Sequence, residues 1–202
     1  MSSHHFVKEQ QEPAVFILNT HLIKFDQVAS LLEWVPTLLV CQESVDEVLS
    51  WGVKIDVILA TEEFQRKNLS LLEQQYPLRF LTCNPQEFLA EGLHYLHASG
   101  HSGAHLVGFA HQHVSELDPF IQWMDLTVFE NQWRFYPIKS TPFKKWLAAG
   151  TIEIYGKEGM PIEIENSNGN LILPIHYATM VEVPEGITEF RASSIFWIGE
   201  SL

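Results

Sequence analysis

The chain has 202 residues, a formal net charge of -13 at pH 7, and 46% hydrophobic against 18% charged residues. This composition supplies ample apolar material for a packed protein of one domain with a smaller companion, and it shows no sign of extended disorder. The acidic balance argues against nucleic-acid partners and anionic membrane surfaces, because like charges repel.

The first 16 residues contain no basic region followed by an apolar core of signal-peptide length. No segment approaches the ~20 consecutive apolar residues that a membrane-spanning helix needs. We therefore expect a cytoplasmic protein with no membrane partner. Cys41 and Cys83 each lie in a β-like apolar run, and we expect both to be reduced, buried thiols rather than a disulfide.

Between residues 14 and 135, short β-branched apolar runs alternate with segments of helical length. The predicted strands are, in chain order, VFILN, TLLVCQ, KIDVILA, RFLTCN, AHLVGF and DLTVFE. The predicted helices are IKFDQVASLLEW, SVDEVLSWG, FQRKNLSLLEQQY, PQEFLAEGLHYLHASG and ELDPFIQWM. Gly52 and Gly100 lie where glycine commonly ends a helix, and Pro85 lies in a first turn. This alternation predicts a mostly parallel sheet with helices on both faces.

The pattern changes after Tyr136, where apolar and polar residues alternate and Gly, Pro and Asn-Gly interrupt the segments. Such alternation predicts antiparallel β-structure. The segment FKKWLAA is the exception, for which we expect a single helical turn. We therefore predict an α/β, Rossmann-like and nucleotide-binding-like domain at 1–138 and a small, sandwich-like all-β domain at 139–202.

Open α/β sheets bind ligands at the carboxyl ends of their parallel strands, in the loops that enter the helices. In this chain those loops are NTHLIK, CQESVD, ATEEFQ, CNPQEF and GFAHQHVSEL. We expect the functional residues to lie in these five loops.

Three segments, 38–65, 84–96 and 105–130, resemble the thiamine pyrophosphokinase family in their order of elements, and the middle one occupies the place of the family's acidic Lys-Asp-x-Thr-Asp helix start. In the first, Gln42 stands where that family has an acid after a strand, Gly52 matches a glycine, and ATEEF replaces Gly-Asp-Phe-Asp-Ser. In the third, Gly108 matches the first glycine of the family's Gly-Ala-x-Gly-Gly-Arg-x-Asp-His loop, and His113 replaces its arginine. The all-β tail fits the position of the family's C-terminal β-sandwich.

The resemblance implies a homodimer that transfers a pyrophosphoryl group from ATP to thiamine with the help of Mg²⁺. Magnesium needs carboxylate oxygens in near-octahedral geometry. At the positions where the family supplies them, this chain has Gln42, Thr61, Glu63, Pro85, Phe88 and Ser115. Only Glu63 is an acid, so we expect a relative that is weakly active or inactive, because each lost electrostatic contact costs about 10²–10³ in rate.

The candidate catalytic residues are therefore Glu63 and Gln42, and Glu63 is the only candidate metal ligand. The candidate residues lining a cleft for a thiamine-like or nucleotide-like molecule are Thr61, Glu62, Gly108, His111 and His113. Two alternatives stay open: an active kinase that holds Mg²⁺ through Glu62 or Glu63, and a non-catalytic module that binds a small molecule or a protein. Glutamates at the start of a helix, such as Glu87, more often favour the helix dipole.

Six of the ten histidines lie between residues 94 and 113. They form no recognised zinc pattern with cysteine or glutamate at fixed offsets. We expect four of them to lie on the surface: His94, His97, His101 and His105. His111 and His113 lie in a loop on the ligand side of the predicted sheet, so we give them a possible role at the site. Trp197, in the segment SSIFWIG, is expected in a core strand.

Overall fold

A computed structural model describes residues 12–21, 23–177 and 179–202. The predicted absence of a signal peptide concerns mainly residues 1–11, which lie outside the described residues. The chain divides into two compact units, one up to Phe109 together with 123–126, and the other comprising 110–122 and 127–202. The predicted boundary at 138/139 stays a prediction, and the second unit includes residues on both sides of it.

The first unit contains a sheet with the strand order β5-β1-β2-β3-β4, in which every neighbouring pair is parallel. Its strands are β1 (Ala14–Ile17), β2 (Leu38–Cys41), β3 (Val57–Ala60), β4 (Arg79–Thr82) and β5 (Gly103–Val107). All residues of β1, β2 and β3 are buried, as expected for parallel strands covered on both faces. The predicted mixed α/β class is confirmed.

The helices of the first unit are α1 (Phe25–Leu32), α2 (Val45–Ser50), α3 (Glu62–Lys67), α4 (Leu71–Gln74) and α5 (Phe88–Ala98). Gly52 and Gly100 follow α2 and α5 with φ values of 71° and 87°, which confirms the predicted glycine stops. The single helix predicted around residues 64–76 is two short helices, α3 and α4. Among the described residues, no helix is long and apolar enough to cross a membrane.

The second unit contains two antiparallel groups of strands, ordered β12-β9-β14-β7-β6 and β11-β10-β13-β8. Their ranges are β6 (Asp125–Glu130), β7 (Trp133–Ile138), β8 (Phe143–Leu147), β9 (Gly150–Gly156), β10 (Pro161–Asn166), β11 (Gly169–Pro174), β12 (Thr179–Val183), β13 (Gly186–Ala192) and β14 (Phe196–Ser201). Ile154, Ile162, Phe190 and Phe196 lie at the centre of the buried cluster that the unit encloses. Antiparallel structure in this part of the chain is confirmed.

Two local predictions are wrong. The segment ELDPFIQWM is not a helix: a 3₁₀ helix spans His111–Leu117 and turns follow, because Pro119 has no N–H to continue the hydrogen-bond ladder. The segment FKKWLAA begins with strand β8, whose residues pair with β13. The segment DLTVFE is strand β6, as predicted, and it pairs with β7 in antiparallel fashion over Val128–Glu130.

The two cysteines are free, and only Cys41 is buried, whereas Cys83 is partly exposed. Burial raises the pKa of the Cys41 thiol far above its ordinary value. The prediction of reduced thiols fits this structure, but the predicted burial of Cys83 is wrong.

Candidate functional site

Gln42 and Thr61 follow β2 and β3 directly, so the parallel pairing of these strands brings the two residues together. Oε1 of Gln42 accepts hydrogen bonds from the backbone N–H of Thr61 at 2.8 Å and from its hydroxyl at 3.2 Å. The Thr61 hydroxyl also accepts a bond from the Phe64 N–H at 3.3 Å and so caps helix α3. These two candidate residues are thus close neighbours that bind each other.

Glu62 and Glu63 occupy the first turn of α3, and both side chains are exposed. Glu63 Oε1 lies 2.6 Å from Lys67 Nζ, one helical turn further on. The hydrogen bond from Lys67 is the main reason why the pKa of Glu63 is lowered. Glu63, the candidate metal ligand, therefore has an ammonium group as its partner.

The end of β4 carries a helix cap. Asn84 Nδ2 donates to Glu87 Oε2 at 3.0 Å, and the two residues form a capping box that starts the 3₁₀ helix Pro85–Glu87. Phe88 is buried. Glu87 thus serves the start of the helix, as its position in the sequence indicates.

The donors at these strand ends do not fit a magnesium–nucleotide complex. Mg²⁺ prefers several carboxylate or water oxygens in an octahedron. The strand ends offer the Gln42 amide, the Thr61 hydroxyl and the Thr82 hydroxyl, which accepts a bond from Gln65. No group of three or more His, Cys, Asp or Glu side chains in the described ranges could hold a metal ion.

Gly108 ends β5 in a left-handed conformation, with φ at +76°. A Cβ at this position would lie 1.9 Å from the carbonyl oxygen of Asn19, which follows β1. The backbones at the ends of β1 and β5 therefore approach each other in a way that only glycine permits. This arrangement gives Gly108 a structural role, whether or not a ligand lies nearby.

The four histidines expected on the surface differ in their burial. His94 and His97 are exposed, and both rings lie against Trp123, with centroid distances of 6.0 and 4.6 Å. His105 is half-buried. His101 is only 5% exposed, so the surface prediction is wrong for this residue. Its Nε2 lies 3.0 Å from Thr37 Oγ1, and its Nδ1 lies 3.3 Å from the Leu96 carbonyl, which makes it a hydrogen-bonded core histidine.

His111 and His113 lie on the same 3₁₀ helix in different surroundings. His113 is exposed and pairs with Glu116 at 3.0 Å. His111 is enclosed by two carboxylates: Glu130 Oε2 contacts its Nδ1 and accepts its backbone N–H at 2.8 Å, and Glu153 Oε2 lies 3.8 Å from its Nε2. Of the two candidate histidines, His111 is the one held between carboxylate and aromatic side chains, whereas His113 is exposed.

A row of paired residues on four neighbouring strands passes under His111 at Phe135. It consists of Val128 on β6, Phe135 on β7, Gly199 on β14 and Glu153 on β9, whereas Glu130 lies two residues further along β6, opposite Trp133. The imidazole stacks on the Phe135 ring at 4.7 Å with an interplanar angle of 1°. A Cβ at Gly199 would meet this ring at 2.2 Å, so the glycine leaves room for the phenyl group.

A cleft of about 800 Å³ opens within the second unit. We call it the second-unit cleft; its walls include Asp118, Lys139, Tyr155, Lys157, Glu158, Tyr177 and Trp197. Trp197 is 1% exposed, and its Nε1 donates to Asp118 Oδ1 at 3.2 Å. Burial raises the pKa of Asp118, against the smaller opposite effect of the Trp197 hydrogen bond. The cleft thus combines aromatic residues with two carboxyl groups and two lysines.

Solved structures of thiamine pyrophosphokinases share this arrangement of elements. The enzyme from Geobacillus thermodenitrificans superposes with a TM-score of 0.67 at 9% sequence identity, covering 94% of this chain and 97% of its own. The Bacillus subtilis enzyme gives 0.66 at 10% identity, with coverages of 93% and 98%. The yeast enzyme gives 0.65 at 7% identity, with coverages of 96% and 87%.

The chain has the thiamine pyrophosphokinase fold. The identities of 7–10% establish the fold alone. No protein-family model matches the chain, and neither does any curated protein. The resemblance inferred from three sequence segments and the all-β tail therefore agrees with the three-dimensional architecture over nearly the whole chain.

Within the thiamine pyrophosphokinase fold, sequence reasoning missed several residues of the second unit. Asp118, Glu130, Glu153 and Tyr155 were not singled out, although they surround His111 or the cleft. One usable signal is Glu153, which is the acid in the otherwise apolar strand segment IEIY. In the structure this residue is buried, with 7% of its surface exposed. Its neighbours come from strands distant in sequence, so no local motif indicates them.

Proposed function

We propose that the chain is a thiamine pyrophosphokinase-like protein with weak or no pyrophosphoryl-transfer activity that binds a thiamine-like or nucleotide-like small molecule. The observation that carries the first half is the neutral pair of Gln42 and Thr61 at the ends of β2 and β3. An amide and a hydroxyl that satisfy each other offer no charge to a magnesium–nucleotide complex. Mg²⁺ and ATP would be its cofactors only if turnover is found.

The assay for this proposal incubates purified protein with ATP, Mg²⁺ and thiamine and measures thiamine diphosphate. The Bacillus subtilis thiamine pyrophosphokinase, assayed in parallel, serves as the positive control. We expect a rate at least about 10² lower than that of the control, because several charged contacts are replaced and each contributes about that factor. A rate equal to that of the control would refute the proposal.

The alternative of an active kinase that uses Glu62 or Glu63 makes a different prediction. It requires that Glu63→Gln abolish turnover, whereas we expect any residual turnover to be unchanged. Glu63 lies on the exposed face of α3 and already pairs with Lys67. Glu73→Gln, at an exposed position on α4, is the matched control for removing one surface carboxylate.

The second-unit cleft supports the second half of the proposal. Tyr177 is an exposed aromatic residue, and Tyr155 and Trp197 lie buried in the wall, within one cavity of about 800 Å³. Its charged lining comprises Asp118 and Glu158 together with Lys139 and Lys157. A flat cationic heterocycle can contact the aromatic residues and the carboxylates of this lining, because both attract positive charge. Thiamine, which carries a fixed positive charge on its thiazolium ring, is the ligand that this composition and the fold together favour.

Thermal-shift measurements with thiamine, thiamine diphosphate and ATP test binding directly. A ligand that binds only the folded state stabilises it by about 2.7 kcal/mol at 100 times its Kd. We expect a shift with thiamine. A shift only with unrelated compounds would instead favour a binding module for another small molecule or a protein.

The proposal also includes a homodimer and excludes nucleic-acid partners. The homodimer follows from the family resemblance, and sedimentation at several concentrations tests it. The net charge of -13 opposes contact with phosphate backbones, so electrophoretic mobility of nucleic acid should not change when the protein is added.

A further inference from the structure

His111 is linked to the second-unit cleft through a chain of polar contacts within the second unit. The Tyr155 hydroxyl, on a residue that lines the cleft, donates to Glu153 Oε2 at 3.1 Å. The same Glu153 oxygen lies 3.8 Å from His111 Nε2, and His111 Nδ1 contacts Glu130 Oε2. We call Tyr155, Glu153, His111 and Glu130 the His111 cluster. It leads from Tyr155 in the wall of the cleft to Glu130 on β6.

The contacts of His111 assign its two ring nitrogens different roles. Glu130 Oε2 already accepts the backbone N–H of His111 at 2.8 Å, and a carboxylate can only accept, so the tautomer with the hydrogen on Nδ1 fits this contact. Nε2 is the ring nitrogen left for other contacts. It faces the Glu153 carboxylate at 3.8 Å, which attracts an N–H and repels a lone pair.

The aromatic walls around the cluster strengthen these interactions. Phe135 lies flat under the imidazole and Tyr155 meets it edge-on at 5.6 Å, so the ring is partly shielded from water, with 20% of the side chain exposed. Burial and the nearby Glu153 carboxylate raise the pKa of the Tyr155 hydroxyl, which therefore stays protonated and donates. Charges interact more strongly in such surroundings than in water.

We propose that a cation bound in the second-unit cleft displaces a proton from the His111 cluster to solvent, so that ligand binding and proton release are coupled. This inference rests on the proposed function, that the cleft takes a cationic thiamine-like molecule. The cluster holds two carboxylates and one imidazole, and a proton on Nε2 neutralises part of their charge. A fixed cation beside Tyr155 supplies that neutralisation instead, and the proton leaves as the free ligand enters.

The titratable groups that face His111 are Glu130 on β6 and Glu153 and Tyr155 on β9. From β7 the contact is Phe135, which does not titrate. On its own 3₁₀ helix, His113 and Glu116 are exposed and pair with each other. Asp118, with its raised pKa, lines the cleft and is a second group that a cation could deprotonate. The experiment must separate Asp118 from His111.

Calorimetry of thiamine binding in two buffers with different ionisation enthalpies gives the number of protons released per ligand. We expect the release of up to one proton when the measurement is repeated across the range in which histidines change charge, about pH 5 to 8, and an affinity that rises with pH there by up to about tenfold per unit. The neutral aminopyrimidine half of thiamine, used as the control ligand, should bind without releasing a proton.

Two variants locate the source of the proton. Asp118→Asn should bind thiamine with the same proton count, whatever its affinity, whereas Asp118→Asn combined with His111→Gln should release none. Glutamine at 111 can still donate to Glu130, and Glu153→Gln serves as a replacement if that variant does not fold. Loss of the proton in Asp118→Asn alone, or its persistence in the double variant, overturns the inference.

The remaining outcomes separate this inference from the proposed function. Thiamine binding without proton release in the unmodified protein overturns the proton coupling and leaves the binding proposal intact. A complete lack of thiamine binding overturns both. A proton released equally by thiamine and by the neutral control also overturns the coupling, because the charge of the ligand is its cause.

Discussion

Gln42 and Thr61 are joined by two hydrogen bonds across the ends of neighbouring strands, at 2.8 Å to the backbone N–H and 3.2 Å to the hydroxyl of Thr61. The sequence resemblance aligns both positions with acids of the thiamine pyrophosphokinase motifs. In this chain they contribute to the stability of the fold: the pair connects β2 to the first turn of α3 and satisfies a partly buried N–H. The hydrogen bonds that these two side chains make are therefore internal to the fold.

We expect Gln42→Ala to lower the free energy of unfolding by about 1–3 kcal/mol, because it leaves the Thr61 N–H without its acceptor. Urea denaturation followed by circular dichroism measures the change. Gln122→Ala, which alters an exposed glutamine in a turn, should stay within about 0.5 kcal/mol of the unmodified protein. Equal stability of the two variants would contradict a structural role for Gln42.

Gly108→Ala should destabilise the protein more than Gly52→Ala. Both glycines have positive φ, at 76° and 71°, so alanine strains the backbone similarly at each, by about 1–2 kcal/mol. Only at 108 does the added Cβ approach a backbone atom, the Asn19 carbonyl, whereas nothing lies within 4 Å at 52. Overpacking should add about 1–3 kcal/mol to the loss in free energy of unfolding at position 108. Equal losses in the two variants would show that the contact with Asn19 does not destabilise the protein.

Gly199→Ala should lower the free energy of unfolding by about 1–3 kcal/mol, since its Cβ would meet the buried Phe135 ring at 2.2 Å. Phe135→Leu replaces this ring by a smaller side chain and makes room for the added methyl group. The double variant should therefore lose less free energy of unfolding than the sum of the two single variants. Gly150→Ala is the control, because no atom lies within 4 Å of a Cβ there. Strictly additive losses would mean that the two residues do not interact.

Asp118→Asn should make the protein more stable at pH 7 and should change little at pH 3. The pKa of Asp118 is raised by burial, so the folded state holds its proton more tightly than the unfolded chain does. Stability is therefore lost as pH rises from the ordinary value of about 3.9 through the raised one. Asparagine cannot ionise and can still accept the Trp197 hydrogen bond. Urea midpoints between pH 3 and 7 measure this, and a variant that is weaker at pH 7 would contradict the assignment.

The first unit was largely predictable because its signals are local. Short apolar runs such as the one at Val57–Ala60 are buried strands, and Gly52 and Gly100 end helices through backbone geometry that their own residue type permits. The prediction failed where tertiary pairing decides the structure. Phe143–Leu147 is a strand because Phe143 pairs with Phe190 and Lys144 with Glu189, which are more than 40 residues away.

The candidate site was predictable only in part for the same reason. The parallel strand order places Gln42 beside Thr61, as the loop positions indicate. The partners of His111 belong to β6 and β9, whose register cannot be inferred from the sequence of either strand alone. His101 was misplaced because its helix-end position suggests exposure, whereas its bonds to Thr37 and Leu96 depend on the packed fold.

The imidazole of His111 lies parallel to the Phe135 ring at 4.7 Å. Phe135 on β7 pairs with Gly199 on β14, and Gly199 pairs in turn with Glu153 on β9. A proton held over the face of a phenyl ring experiences its ring current, so the His111 ring signals should be shifted upfield in the NMR spectrum. The shift requires that the 3₁₀ helix carrying His111 be packed against β7. One histidine resonance therefore reports on the packing of this helix against the antiparallel strands.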